Sequence, residues 1–353
     1  MTPIRTLCLA LALALTSLTP SAAQGLPETP QQQKDREFAL VFQEGLYALT
    51  NREVPRAIQL FQRAVQLYPE RPTAYYNLAC AFSIQGKPED SVKYLRLAFE
   101  RGFNDLAHMS RDMDLDGIRN TPAYRQARGE LEAAALADVP PALSKVPAAE
   151  GKLPLYVVIH GDQDQPAAVL ERVAATTGAI TPGAVLVPQG PFAAQGGGRA
   201  WRSQQEQGAG RLEFIVMERV RAFLEATPSI DRQQVFLIGL GFSGYKAVSI
   251  AGHHPDVFAG VYAHGPLLGA EAGELTVKTR AYLVVDPQDG GQVASGVDAR
   301  NAVVDAEGAA VLERWSGTPI GALADGETPF ARAVAWLTGK PVELPNAGAS
   351  VPF

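Results

Sequence analysis

The chain has 353 residues, of which 46% are apolar and 19% are charged, and its formal net charge is −6. This length suits two domains of about 150 residues each, and the composition excludes disorder over most of the chain. DNA and RNA binding depend on a basic surface, so the negative charge argues against a nucleic-acid partner.

The first 23 residues have the pattern of a cleaved export signal. Arg5 precedes an apolar stretch, Leu7 to Leu15, and Ser21-Ala22-Ala23 form a small-residue cleavage site. The apolar stretch is shorter than the roughly 20 residues that span a bilayer. The sequence therefore predicts an exported protein, periplasmic, in the cell envelope or secreted, with no membrane span after cleavage. Cys80 is then the remaining cysteine, and no intramolecular disulfide is expected. Residues 24–37 are predicted to be a linker.

A repeat with a period of 34 residues follows. Ala57, Phe61 and Ala64 recur as Ser91, Leu95 and Ala98. This period and these positions resemble tetratricopeptide repeats over residues 38–137. Two repeats are a short array, and the stretch from Thr121 to Ala137 is predicted to be a helix that caps it.

The resemblance to tetratricopeptide repeats implies a protein or peptide partner. Tyr76, Asn77 and Cys80 lie on the predicted first helix of the second repeat and are the candidate contacts. Next, Asp112 to Gly117 resembles the opening of an EF-hand loop, but the twelfth position holds Ala123 instead of a bidentate carboxylate. We therefore favour a solvated turn over a calcium site, and expect no metal and no cofactor.

Residues 138–152 are rich in proline and alanine and predict a second linker. Beyond it, short apolar runs alternate with helical stretches, which predicts a mostly parallel sheet covered by helices over residues 153–340, with a tail at 341–353. Ligands bind such sheets at the carboxyl ends of the strands. The predicted strands are Leu155–Ile159, Ala184–Val187, Val235–Ile238, Ala259–Tyr262, Ala281–Val285 and Ala310–Arg314.

Three strand ends carry motifs in the order of one known fold. They are Leu153–Gly161 (LPLYVVIHG), the run Ile230–Ala247 (IDRQQVFLIGLGFSGYKA), and His254–Gly260 (HPDVFAG). From about Leu153 to Leu337 the chain is similar to α/β-hydrolase-fold esterases of the phospholipase/carboxylesterase and polyhydroxybutyrate-depolymerase-like type. The sequence thus predicts two domains, all-α repeats followed by an α/β-hydrolase-like domain.

The resemblance implies a nucleophilic serine in a Gly-x-Ser-x-Gly turn, a histidine after the last strand and an acid after the strand before it. Counting from Gly239, the nucleophile position falls on Gly241, and Ser243 lies two residues further on. The five histidines of the chain all precede residue 265, so the expected base near Trp315 is missing. Backbone N–H groups near Asp162 and Phe242 would form the oxyanion pocket.

Two functional hypotheses follow. In the first, the second domain is a degraded esterase that serves as a scaffold or binds an acyl or other small ligand. In the second, the domain is an active serine esterase in which Ser243 attacks, His264 is the base and Asp289 is the acid. The run Gly239 to Gly244 also matches Gly-x-Gly-x-x-Gly, but no carboxylate for a ribose follows the next strand. The glycine run at 196–198 predicts a flexible loop, with Trp201 and Arg202 behind it at the edge of the crevice.

Overall fold

The computed structural model describes residues 28–202, 211–265, 280–319, 321–323 and 327–344. The predicted signal, residues 1–23, and most of the predicted tail lie outside these ranges. The chain divides into two compact units, 1–137 and 138–353. Among the described residues, the helices are too short or too polar to cross a membrane.

The first unit is built from helices. Its α-helices are α1 (Pro30–Thr50), α2 (Val54–Leu67), α3 (Pro72–Ile84), α4 (Pro88–Glu100), α5 (Leu106–Arg111) and α6 (Pro122–Leu136). Helix α1 packs on α2, α3 packs on both α2 and α4, and α6 packs on α4. The predicted capping helix is confirmed, since the Thr121 side chain accepts a hydrogen bond from the Tyr124 N–H at the start of α6.

The residues that repeat after 34 positions form the contacts between these helices. Ala57, Phe61, Ala64, Ser91, Leu95 and Ala98 are each at most 1% exposed. A Cβ atom at Gly45 would lie 2.7 Å from the Phe61 ring, so glycine is what allows α1 to approach α2 this closely. Ser91 donates from Oγ to the Ala79 carbonyl at 2.7 Å. The 34-residue repeat therefore marks the residues that pack between neighbouring helices.

Two expectations for this unit are wrong. Helix α1 begins at Pro30, inside the predicted linker, because Thr29 and Gln32 cap each other reciprocally. The segment at Asp112 is not a solvated turn: it contains a 3₁₀-helix, Met113–Leu115, and the Asp112 carboxylate is buried. Buried carboxylates require donors, and the Tyr76 hydroxyl supplies one at 2.8 Å.

The second unit is an α/β domain. Its strands are β1 (Leu143–Lys145), β2 (Leu153–Ile159), β3 (Ala184–Val187), β4 (Phe192–Ala193), β5 (Arg199–Ala200), β6 (Ile230–Leu240), β7 (Gly260–His264), β8 (Arg280–Val285) and β9 (Ala309–Arg314). Its α-helices are α7 (Pro166–Ile180), α8 (Leu212–Ala226), α9 (Phe242–His253), α10 (Gly290–Asp305) and α11 (Pro329–Leu337).

Seven strands form one sheet in the order β1-β3-β2-β6-β7-β8-β9, in which β1 is antiparallel to β3 and the other neighbours are parallel. Strands β4 and β5 form a separate hairpin. The six predicted strands are confirmed. The linker prediction for 138–152 is wrong at β1, where Leu143 pairs with Val187.

Alternate residues of the central strands, with α7 and α11, form one large apolar cluster. Tyr156, Phe236, Tyr262 and Tyr282 are the large strand residues of this cluster, and Phe330 is its fully buried helical ring. Strand β2 is buried along its whole length, as expected for a parallel sheet covered on both sides. This packing fixes the carboxyl ends of β2, β6, β7 and β8 beside one another.

Candidate functional site

A tight turn joins β6 to α9 at the carboxyl edge of the sheet. The turn is a single residue, Gly241, with φ 61° and ψ −130°, a backbone conformation that L side chains rarely adopt. A Cβ at Gly239 would lie 2.3 Å from the Ser243 carbonyl, and one at Gly244 would lie 2.9 Å from the His264 carbonyl. Packing and turn geometry thus account for the three glycines of the Gly-x-Gly-x-x-Gly run.

Ser243 lies in the first turn of α9 and is fully buried. Its Oγ donates a hydrogen bond to the His160 carbonyl at 2.8 Å. The Trp201 indole Nε1 donates to the same carbonyl at 2.9 Å. The Ser243 hydroxyl is therefore directed at the end of β2. The residue at the apex of the β6–α9 turn is Gly241.

His264 ends β7 and is 3% exposed. Its Nδ1 lies 3.1 Å from the Tyr262 hydroxyl, and its ring packs edge-on against Trp315 with the centroids 5.3 Å apart. Burial lowers the pKa of His264 to about 4, and the attraction of Asp286 opposes this in part. In the part of the chain that the structure describes, no hydrogen bond joins His264 to Ser243.

Asp289 is the N-cap residue of α10. Its Oδ1 accepts hydrogen bonds from the backbone N–H groups of Gln292 and Gly291, each at 3.0 Å. These bonds, chiefly that from Gln292, lower the pKa of the exposed Asp289 carboxyl. The structure thus does not bring Ser243, His264 and Asp289 into one hydrogen-bonded chain. The carboxylate whose attraction partly offsets the lowering of the His264 pKa is that of Asp286. The sequence analysis missed Asp286, although it directly follows β8.

The two residues expected at the oxyanion pocket lie close together, and Arg202 joins them. The Arg202 guanidinium lies 3.8 Å above the Phe242 ring. It also donates from Nε to the Asp162 carboxylate at 2.8 Å, and a second nitrogen lies 2.7 Å from the same oxygen. The backbone N–H groups of Asp162 and Phe242 have no acceptor among the described residues. The oxyanion assignment stays a prediction.

The glycine run at 196–198 is not a free loop, which corrects the sequence expectation. It is the turn of the β4–β5 hairpin, which lies on the loop after β2: Arg199 N–H donates to the Asp164 carbonyl and Gln163 N–H donates to the Arg199 carbonyl, each at 2.9 Å. A Cβ at Gly198 would lie 2.2 Å from the Gln163 carbonyl. Trp201 behind the hairpin is buried and stacks on the His160 ring at 5.0 Å.

The candidate partner contacts on α3 are largely inaccessible. Tyr76 is 4% exposed and Cys80 is 1% exposed. Cys80 Sγ lies 3.4 Å from the Asp112 carboxylate, and burial raises the pKa of this thiol. The expectation that Tyr76 and Cys80 contact a partner is therefore wrong. Asn77 remains half-buried, with Nδ2 donating to the Thr73 carbonyl at 2.9 Å.

Comparison with known proteins gives a family for the second unit. A family model named "Esterase" and described as "Putative esterase" matches residues 140–345. No curated protein matches this chain.

Comparison with solved structures gives matches of low sequence identity. A carboxylesterase from Bacillus cereus is 16% identical, with 59% of this chain and 98% of that chain covered and a TM-score of 0.43. Esterase PE8 is 15% identical, with 57% and 99% covered and a TM-score of 0.43. An uncharacterized protein from Bacillus cereus is 16% identical, with 85% and 98% covered and a TM-score of 0.41.

The family match covers more than half of the chain and includes the strand β6, the turn at Gly241 and the helix α9. A helical region precedes this α/β domain with its mostly parallel sheet. Over residues 140–345 the chain belongs to the Esterase family.

Proposed function

We propose that the second unit is an esterase-family domain that has lost its catalytic residues and binds an acyl or other small ligand without turning it over. One observation carries this: the apex of the β6–α9 turn is a glycine, and the Ser243 hydroxyl, two residues further on, donates to the His160 carbonyl. A serine hydroxyl without a positioned base is a weak nucleophile at neutral pH. Loss of triad members removes about four to six orders of magnitude in rate.

The test uses the mature full-length protein and a fluorophosphonate probe, which labels activated serines covalently. We expect no labelling and no hydrolysis of p-nitrophenyl esters above a Ser243→Ala control. Hydrolysis above that control, or labelling at Ser243, would refute the proposal.

The second candidate function is an active serine esterase, and the family match favours it. In this reading Ser243 attacks, and His264, close to the Asp286 carboxylate, is the base. It predicts labelling at Ser243 that is lost in the Ser243→Ala variant. The same gel therefore separates the two candidates.

For the helical unit we propose tetratricopeptide repeats that bind a protein partner of the exported chain, with residues 1–23 as the export signal. Four of the five exposed large apolar side chains among the described residues lie in this unit: Leu40, Leu46, Tyr47 and Met113. The concentration of exposed large apolar side chains in this unit is what supports an interaction surface there.

Photo-crosslinking of the exported chain tests this surface. A photoreactive amino acid at Tyr47 is expected to give a discrete protein adduct. One at Val146, which is also exposed but lies outside the helical unit, is expected to give none. Equal adducts at both positions would contradict the proposal.

A further inference from the structure

Helix α1 is the first helix of the packed series in the helical unit, and one side of it exposes large apolar side chains. Leu40 is 55% exposed and Tyr47 is 66% exposed. The opposite side holds the buried residues Phe38, Gly45 and Ala48, and through it α1 packs on α2 and α3. The terminal units of stacked helical arrays need a polar outer side, because no further unit covers them. The exposed side of α1 does not meet this requirement.

This exposed side carries one charge on each side of Leu40. Arg36 lies four residues before Leu40 and Glu44 lies four residues after it, so the three side chains share one face of the helix. Tyr47, three residues beyond Glu44, extends the same face. The two charged side chains are exposed, at 65% for Arg36 and 58% for Glu44. These four residues, Arg36, Leu40, Glu44 and Tyr47, are called the α1 face below.

The neighbouring charges of α1 are engaged by α2 and the residue that follows it. Glu37 forms an ion pair with Arg63 of α2 at 2.5 Å. Asp35 accepts a hydrogen bond from the Tyr68 hydroxyl, and the Lys34 ammonium lies 4.3 Å from the centre of the Tyr68 ring. The charge of the α1 face is therefore carried by Arg36 and Glu44.

The ion pairs that Arg36 and Glu44 form within the chain are exposed. Arg36 lies 3.1 Å from the Glu28 carboxylate. Glu44 lies 3.6 Å from Arg56, and that guanidinium is closer to Glu53, at 3.0 Å. Ion pairs as exposed as these contribute little to stability. Both charges can thus exchange their present partners for others at small cost.

We propose that the α1 face binds the α1 face of a second copy of this chain, with the two helices antiparallel and crossing at Leu40. A twofold axis through the crossing places each Arg36 against the Glu44 of the other copy, because both residues lie four positions, about 6 Å, from Leu40. The two leucines meet at the axis. This inference rests on the proposed protein-binding role of the helical unit and names its partner.

The order of charges on the α1 face is what selects a second copy in the antiparallel direction. The face reads positive, apolar, negative along the helix, and the same face read in the opposite direction is its complement. A parallel pair would set Arg36 against Arg36 and Glu44 against Glu44, and like charges in contact oppose association. Burial of Leu40 supplies the apolar contribution, and the two ion pairs fix the register.

Sedimentation equilibrium of the mature full-length protein tests the association. We expect a monomer–dimer equilibrium that weakens as salt is added, because exposed ion pairs are screened. Leu40→Glu sets two carboxylates at the axis in place of two leucines. It should weaken the dimer at least about hundredfold, roughly tenfold for each leucine lost. Leu46→Glu is the matched control, because Leu46 is also exposed but lies about 120° from Leu40 around α1, and it should leave the dimer unchanged.

Charge reversal tests the register. Arg36→Glu sets carboxylates against each other at two places in the dimer, and we expect it to weaken association about tenfold. Adding Glu44→Arg in the same chain restores two pairs of opposite charge and should return the dissociation constant to within about twofold of the wild-type value. A double variant that associates as weakly as Arg36→Glu would overturn the proposal.

The outcomes separate the identity of the partner from the role of the helical unit. A photo-adduct at Tyr47 with twice the mass of the chain supports both. An adduct at Tyr47 with another protein, in a chain that stays monomeric at about 1 mM, would overturn the second copy and leave the protein-binding role intact. Equal adducts at Tyr47 and Val146 would refute that role itself. A dimer that Leu40→Glu does not weaken would overturn the α1 face as the interface.

Discussion

Replacing Gly241 by serine introduces the side chain that the resemblance to α/β-hydrolase-fold esterases implies at this turn, and the structure predicts the effect of this replacement on stability. The Cβ meets nothing within 4 Å, so no steric clash is expected. The cost is conformational, because φ is 61° and ψ is −130°. A non-glycine residue held in such a region costs about 1–3 kcal/mol. Gly241→Ser is therefore expected to fold, with a modest loss of stability.

Tryptophan fluorescence measures this loss in the second unit specifically. The chain has three tryptophans, Trp201, Trp315 and Trp336, and all lie after residue 138. In a domain of this size each kcal/mol lowers Tm by about 2–4 °C, so we expect a decrease of about 2–12 °C. Gly241→Ala carries the same backbone strain without the hydroxyl and should lose the same amount.

Activity provides the sharper comparison. A hydroxyl at residue 241 without a positioned base is expected to remain inert, so Gly241→Ser and Gly241→Ala should hydrolyse p-nitrophenyl butyrate equally slowly. A rate in Gly241→Ser well above that of Gly241→Ala would show that the site contains a base. That result would refute the argument that catalysis is lost because no histidine follows β9.

Three other predictions concern buried polar groups. Ser243→Ala removes one of two donors to the carbonyl at the end of β2 and should cost about 1 kcal/mol by tryptophan fluorescence in urea; Ser295→Ala, whose exposed hydroxyl bonds within α10, should change stability by less. Asp112→Ala leaves the Tyr76 hydroxyl without an acceptor and should cost about 1–3 kcal/mol in the helical unit, seen by circular dichroism with the tryptophan transition unchanged. The pKa of His264 is about 4 in the folded protein and 6.5 in a model compound, so the unfolded chain binds more protons between these values and stability falls as pH falls from 6.5 to 4. At 1.36 kcal/mol for each pKa unit the full loss is about 3 kcal/mol, and it should be absent in His264→Phe; equal pH dependence in both proteins would contradict this assignment.

The helices and the parallel strands were predictable because their apolar residues recur with the period of each element. The sequence reasoning missed the elements without such a period. Strand β1 has three residues and is held by pairing with β3, a contact of tertiary origin. The β4–β5 hairpin has two residues in each strand and a turn rich in glycine, which by itself is indistinguishable from a free loop.

At the site, counting along the chain located Gly241 at the turn but did not reveal the partners of the side chains. Nothing in the sequence indicates that Ser243 donates to the His160 carbonyl, because the two residues are 83 positions apart. The sequence also does not indicate that Tyr76 and Cys80 are buried. Their spacing suited an exposed groove, yet the segment around Asp112 covers them. Burial by a distant segment is a tertiary effect that helical periodicity does not report.

Catalysis by this domain is limited by the base more than by the serine. Rotating the Ser243 hydroxyl away from the His160 carbonyl breaks one hydrogen bond of about 1 kcal/mol, which lowers a rate about fivefold. The absence of a base costs about six orders of magnitude. His264 is an uncharged imidazole near neutral pH and its carbonyl is bonded to the Gly241 N–H, so it is the base that the second candidate function requires. Any hydrolysis by the wild-type protein should therefore disappear in His264→Phe, and activity that survives this change would require a base outside the described site.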